Sequence, residues 1–144
     1  MTKLKMLVAV HLFLLKEDKI LLLRRFNTGF MDGKFSVVAG HVESGETYFE
    51  AMQREAREEA GIAISDDDLK TIQVMHRKSD TERIDYFFVA KKWTGEIKNM
   101  EPDKCDELSW FSLNNLPDNM IPYVQYALEK YEKNEQFTLF GWDL

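Results

Sequence analysis

The sequence predicts an α+β fold in which strands are layered against helices. Three observations carry this expectation. Aliphatic runs of strand length open the chain and recur after residue 68, residues 47 to 61 carry helix signals at both ends, and a second helical pattern starts near residue 121. At 144 residues and 44% hydrophobic content, the chain can bury one proper core but is too short for two, so a single domain over 1–144 is expected.

The elements follow in order. Lys5 to Leu15 and Lys19 to Arg25 are aliphatic runs separated by the charged turn Lys16-Glu17-Asp18, a strand–turn–strand signature. Lys3 and Lys5 ahead of an apolar run have the look of a signal peptide. No small-residue cleavage site follows, His11 interrupts the run, and about ten apolar residues are too few to span a membrane, so a buried strand is expected. Asn27, Thr28, Gly29, Asp32 and Gly33 mark a loop, and Phe35 to Val38 reads as a short strand leading to Gly40.

Thr47 followed by Glu50 forms a capping box, in which hydroxyl and carboxylate satisfy orphan amides at a helix start. Phe49, Met52, Ala56 and Ala60 then recur at steps of three and four as one apolar stripe, and Gly61 suits the left-handed residue just past the helix end. Ser65 to Asp68 is an acidic turn, and Leu69 to Lys78 and Arg83 to Trp93 read as strands. A charged loop over Glu101 to Glu107 precedes a short strand, Leu108 to Phe111, with a turn from Ser112 to Pro117. Ile121 to Tyr131 supports a second helix with Pro122 in its first turn, and Phe137 to Trp142 a last strand.

Nineteen basic residues against twenty-five acidic ones give a net charge of −6, which disfavours duplex nucleic acid as a partner but is compatible with a metal-bridged small phosphate ligand. The single cysteine, Cys105, excludes an internal disulfide, so a reducing cytoplasm fits; a small buried hydrophobe is its expected role.

On the central helix Glu55, Glu58 and Glu59 fall at i, i+3 and i+4 and share one face. Like charges at this spacing repel, and Glu58 and Glu59 also sit at the negative end of the helix dipole. A solvated acidic face is the ordinary alternative, but a cation such as magnesium, which prefers carboxylate oxygens and bridges to phosphates, would offset the cost. Ahead of the helix, Gly40, Ser44 and Gly45 allow a tight loop, and Gly40 leaves its carbonyl free of a side chain.

Gly40, Glu46, Arg54, Glu55, Ala56, Glu58, Glu59, Gly61 and Ile62 together fill the pattern G-x5-E-x7-R-E-U-x-E-E-x-G-U, with U aliphatic or small. This resembles the Nudix box, and a chance match in a chain this long has a probability on the order of 10⁻⁷. The resemblance implies an α/β/α sandwich around a central mixed β-sheet. It also implies a magnesium-dependent hydrolase, with manganese able to substitute, that cleaves a nucleoside diphosphate linked to another group. In this reading Glu55, Glu58, Glu59 and the Gly40 carbonyl hold the metal, Glu58 or Glu59 acts as base, and Arg54 orients the acids by pairing with residues such as Glu46. Family members often recruit a further carboxylate from the loop that here carries Glu101, Asp103, Asp106 and Glu107.

The box covers 23 of 144 residues, so substrate identity is sought outside it. Length and the Trp110-Phe111 strand with its short following helix resemble the MutT-like nucleoside triphosphate pyrophosphatases. Markers for ADP-ribose or dinucleoside polyphosphates do not appear in the window around Arg77, Lys78 and Ser79. Mammalian-type oxidised-purine sanitisers carry an asparagine where Ser36 stands and an aspartate pair where Tyr123 and Val124 stand. A nucleoside triphosphate without strong 8-oxo-guanine selectivity is therefore expected. Arg25, Phe35, Ser36, Tyr86, Glu101 and Asp103 are the candidate substrate contacts, with core packing the alternative for the aromatic rings. Other nucleoside diphosphate derivatives and a non-catalytic nucleotide sensor stay open, although the complete set of box acids favours hydrolysis. The expected partner is a small nucleotide, with no membrane, and the protein a monomer or homodimer.

Overall fold

The computed structural model describes residues 2–143. Its backbone is organised around strand β1 (Leu7–Lys16), which turns through Glu17-Asp18 into β2 (Lys19–Arg25). β1 pairs in parallel with β6 (Glu82–Ala90) on one side and antiparallel with β4 (Val38–His41) on the other. β6 continues antiparallel to β5 (Lys70–Lys78), and β5 is flanked in parallel by β8 (Phe137–Phe140). β2 leaves this mixed sheet after the hairpin and is paired by β3 (Phe35–Ser36) and β7 (Cys105–Ser112).

Two helices close the layers. Helix α1 (Tyr48–Ala60) buries Ala51, Met52, Ala56 and Ala60 against Val10, Leu12 and Phe88, and Phe49 packs at the edge of this cluster. Helix α2 (Pro122–Glu132) covers the opposite face with Val124, Ala127 and Leu128, against Phe13, Met75 and Phe87. Strand alternation sends even-numbered β1 residues to α1 and odd-numbered ones to α2. The result is the α/β/α sandwich with a mixed sheet.

Among the boundaries that differ from the expectation, β1 starts at Leu7 and β8 stops at Phe140, and three others bear on the layers. The segment 35–38 is two strands, because the chain crosses at Val37 from β2 to β1. β7 begins at Cys105, three residues early. Its charged start still pairs with β2, and its exposed acids are used, with Asp106 accepting from Arg24 Nε at 2.7 Å. β6 stops at Ala90, and Trp93 lies beyond it, stacked on Trp110 at 6.0 Å between ring centroids.

Candidate active site

The start of α1 is set locally. Thr47 Oγ1 accepts from the Glu50 amide and Glu50 Oε1 accepts from the Thr47 amide, both at 3.0 Å. Its end is set by Gly61, at φ 71°, whose amide returns to Arg57 O at 3.1 Å. Between these stops the helix turns Glu55, Glu58 and Glu59 into a cleft of about 540 Å³, bounded by β4, the end of β2 and the loop ahead of β7.

Arg54 organises the acids. Its Nε and Nη2 donate to the two Glu46 carboxylate oxygens at 3.1 and 2.8 Å, a bidentate fork. Nη1 donates to Glu55 Oε1 at 2.6 Å and to Glu58 Oε2 at 3.2 Å, and Nη2 also reaches His41 O at 3.0 Å. One guanidinium thus ties together the loop before α1, the end of β4 and two helix acids. The hydrogen bonding to Glu46 is the largest of the effects that keep this guanidinium protonated.

Glu55 and Glu59 lie deepest. Glu55 is 13% exposed at its side chain against 53% for Glu58. The Glu59 carboxylate accepts from the Ala39 amide at 3.4 Å, with the Glu55 carboxyl beside it. Burial first, and the Glu55 carboxyl second, push Glu59 well above the ordinary carboxylate range. Gly40 explains how Glu55 fits, since a Cβ on Gly40 would collide with the Glu55 carboxyl carbon and Oε1. The missing side chain at Gly40 therefore makes room for a carboxyl group.

Among the described residues no three acidic, histidine or cysteine side chains form a ready-made metal cage, because Arg54 spans Glu55 and Glu58. The donor set nevertheless fits a hard divalent cation. Neighbouring carboxyl groups repel when both are ionised, a cost that a cation offsets, and the oxygen-only chemistry of Glu55, Glu58 and Glu59 is what such ions take.

The cleft gathers some of the predicted substrate contacts and not others. Arg25 and Glu101 line it. Phe35 and Ser36 are buried in the sheet layer away from it, with Phe35 edge-on to Phe111 at 5.0 Å and Ser36 paired with Leu23. Tyr86 stacks on Tyr48 at 4.1 Å on the α1 face, and Asp103 points to solvent outside the lining. Lining residues not anticipated include His41, Asn99, Lys104 and Cys105. Asn99 accepts from the Glu101 amide at 3.1 Å and donates to Cys105 O at 2.7 Å, so it shapes the loop that carries Glu101. No sequence signal marks it. His41 follows Gly40 in β4, and burial followed by the charge of Arg83 lowers its pKa.

Arg25 and His41 also border a second groove of about 650 Å³, with Phe30, Arg77, Arg83 and Tyr123. The acidic cleft and a basic, aromatic groove are therefore adjoining rooms with two residues in common.

The NUDIX domain family model matches residues 5–131. An ADP-ribose pyrophosphatase of Methanocaldococcus jannaschii is 36% identical over 114 residues, covering 76% of this chain and 64% of that protein. An 8-oxo-dGDP phosphatase of Homo sapiens is 28% identical over 76% of this chain and 33% of its own length, so the chain spans less than two thirds of each of these relatives. Among solved structures, a MutT NUDIX hydrolase from Burkholderia pseudomallei superposes with a TM-score of 0.80 at 26% identity, covering 87% of this chain and 97% of that one. A MutT protein from Methanosarcina mazei matches with a TM-score of 0.76 at 22% identity, covering 91% and 97%, a likeness of fold.

Proposed function

The chain belongs to the Nudix family, in its MutT-like branch, and on that premise we propose that it is a divalent-metal-dependent pyrophosphohydrolase acting in the cytoplasm as a single domain. Its substrate is a nucleoside diphosphate linked to a further group, foremost a nucleoside triphosphate cleaved to monophosphate and pyrophosphate. The observation that carries this reading is the cleft lined by Glu55, Glu58 and Glu59, which shares Arg25 and His41 with an aromatic, basic groove.

In this reading Glu55, Glu58, Glu59 and the Gly40 carbonyl would hold Mg²⁺, with Mn²⁺ able to replace it. Held there, such an ion would supply charge neutralisation for the diphosphate and acidify a water. Glu59, whose surroundings raise its proton affinity, takes the proton of the attacking water. Arg54 holds Glu55 and Glu58 in place against their mutual repulsion. Arg25 and Lys104, which line the cleft, face the phosphates, and Glu101 supplies the additional carboxylate. The nucleoside half lies in the adjoining groove between Phe30 and Tyr123.

A second reading, ADP-ribose as substrate, is favoured by the 36% identity to the archaeal ADP-ribose pyrophosphatase. Product analysis with magnesium across nucleoside triphosphates, ADP-ribose, sugar nucleotides and dinucleoside polyphosphates decides between them. Monophosphate plus pyrophosphate from a triphosphate supports the first reading, and AMP from ADP-ribose alone the second; inactivity on every compound overturns both. With no paired carboxyls at Tyr123 and Val124, the preference for 8-oxo-dGTP over dGTP in kcat/KM is expected to stay below about a hundredfold.

A further inference from the structure

The loop between β2 and β3 borders both rooms of the site. Asn27 and Thr28 line the acidic cleft, Phe30 and Met31 line the basic, aromatic groove, and Arg25, at the foot of the loop, lines both. Phe30 and Met31 stand out into water, 49% and 40% exposed. The backbone that presents them is an uncommon one, because Asn27 and Met31 take left-handed conformations, at φ 56° and 51°, without being glycine.

One carboxylate ties this loop together. Asp32 accepts from the Thr28 and Gly29 amides, each at 3.0 Å, and from the Thr28 hydroxyl. That hydroxyl accepts in turn from the Phe30 amide at 3.2 Å and from Arg25 Nη2 at 3.0 Å, while Arg25 Nε donates to Phe30 O at 2.7 Å. Arg25 and Phe30 are thus fixed to each other, with the guanidinium 5.3 Å from the Phe30 ring centroid. Both Arg25 bonds go to neutral oxygens, which leaves its charge open to an anion.

Tyr123, on the same groove, is fixed independently. Its ring lies 3.7 Å from the Arg77 guanidinium, whose Nε donates to Asp85 at 2.7 Å; His11 Nε2 meets the same carboxylate at 2.9 Å, completing a buried ionic ladder. The Asp32 network, by contrast, adds nothing to the core, since the apolar side chains it arranges stay exposed. What it secures is the placement of Arg25 relative to Phe30, and a wall ordered in advance does not have to be ordered on binding.

We propose that Asp32 is a positioning residue for the nucleotide. By tying Phe30 to Arg25 it sets the span between a ring on which a planar base stacks and a guanidinium that takes the phosphate of the same unit. Asp32 lines neither room and acts through the two residues it holds. The ligand selected is a nucleotide unit with an aromatic base, because a sugar phosphate alone engages Arg25 and leaves Phe30 in water. The proposal rests on the nucleotide reading above and adds what fixes the distance from base to phosphate.

The test is calorimetric binding of AMP, GMP, CMP and UMP in magnesium, with the variants read on whichever binds the wild-type protein most tightly. No bond is cleaved, so the outcome is separate from the product analysis that tests the hydrolase reading. Asp32→Ala is expected to weaken binding about tenfold, as the loop must then be ordered by the ligand. Its melting temperature should be retained, because Phe26, Phe30 and Met31 lie outside the core. Asp32→Asn, whose carboxamide oxygen still accepts from the loop amides, is expected to stay within about threefold of the wild type. In a Phe30→Ala background the effect of Asp32→Ala should shrink to about threefold or less, since the ring it positions is gone. The proposal is overturned if Asp32→Ala binds within about twofold of the wild type, if Asp32→Asn is as weak as Asp32→Ala, if the full loss persists without Phe30, or if none of the four binds the wild-type protein.

Discussion

The Glu55 carboxyl group lies against Gly40 so closely that a β-carbon at residue 40 would occupy its place. The colliding atoms are the far end of a flexible side chain, so the chain can yield without unfolding. Gly40→Ala is therefore expected to cost less than about 1 kcal/mol of stability while lowering kcat about a hundredfold or more by moving a proposed metal ligand. Thermal melting beside steady-state kinetics checks it. A loss of stability matching the loss of activity would mean that Gly40 serves the fold and not the site.

Glu59 should separate activity from stability. Its proton is held more tightly in the folded than in the unfolded protein, so its contribution is complete below the ordinary carboxylate range and is lost as pH rises through the folded value. Ionising Glu59 without a metal therefore works against the fold. Glu59→Gln is thus expected to raise the melting temperature in EDTA by about 2–4 °C, the shift that about 1 kcal/mol makes in a domain of this size. The same variant should lose about 10²-fold or more in turnover. A destabilised variant with wild-type turnover would show that Glu59 is an ordinary structural acid.

Arg54→Lys keeps the charge and loses the fork. Lysine cannot bridge Glu46 bidentately while also reaching Glu55 and Glu58. Turnover is expected to fall about tenfold or more, accompanied by a higher magnesium requirement. Unchanged magnesium dependence would count against the orienting role.

Chelation should abolish activity and leave the fold standing, since Met52, Ala56 and Ala60 anchor α1 without the acids. Circular dichroism in EDTA checks this, and collapse of the helical signal would point to a structural ion instead.

Asp85 gives the acid-side prediction. Burial pushes its pKa up, but hydrogen bonding and charge from His11 and Arg77 bring it to about 2, below the ordinary 3.8. A depressed carboxylate stabilises the fold above its unfolded value and loses that contribution as pH falls, here between about 4 and 2. Asp85→Asn leaves the buried Arg77 guanidinium without its counter-ion and should cost about 3–5 kcal/mol. Urea unfolding at pH 7 and pH 3 reads both effects, and a variant as stable as the wild type at pH 7 would show that the ladder carries no energy.

Helix α1 could be read from the sequence because its determinants are local. Thr47 with Glu50, the stripe ending at Ala60, and Gly61 are all within a few residues of what they touch. The three acids follow from helix geometry alone. Tyr86 and Phe35 could not be read in this way: their composition suits a base-stacking platform, but Tyr48 and Phe111, distant in sequence, already occupy those rings. The His11–Asp85–Arg77 ladder is hidden for the same reason, joining residues 74 positions apart. β7 was expected to be short because its charges suggest loop, and only pairing with Arg24 shows how a strand accommodates them.

Strand β4 is four residues long and works in both directions. Gly40 faces α1 and Glu55, while Ala39 and His41 stand on the opposite pleat, where His41 borders the groove proposed for the nucleoside. Substitution on the His41 pleat bears first on the groove, although Ala39 and His41 also line the acidic cleft. Length has no such freedom. One inserted or deleted residue in β4 would invert the pleat, present a side chain to Glu55 and turn the glycine towards the ligand, so this strand is open to substitution and closed to insertion and deletion.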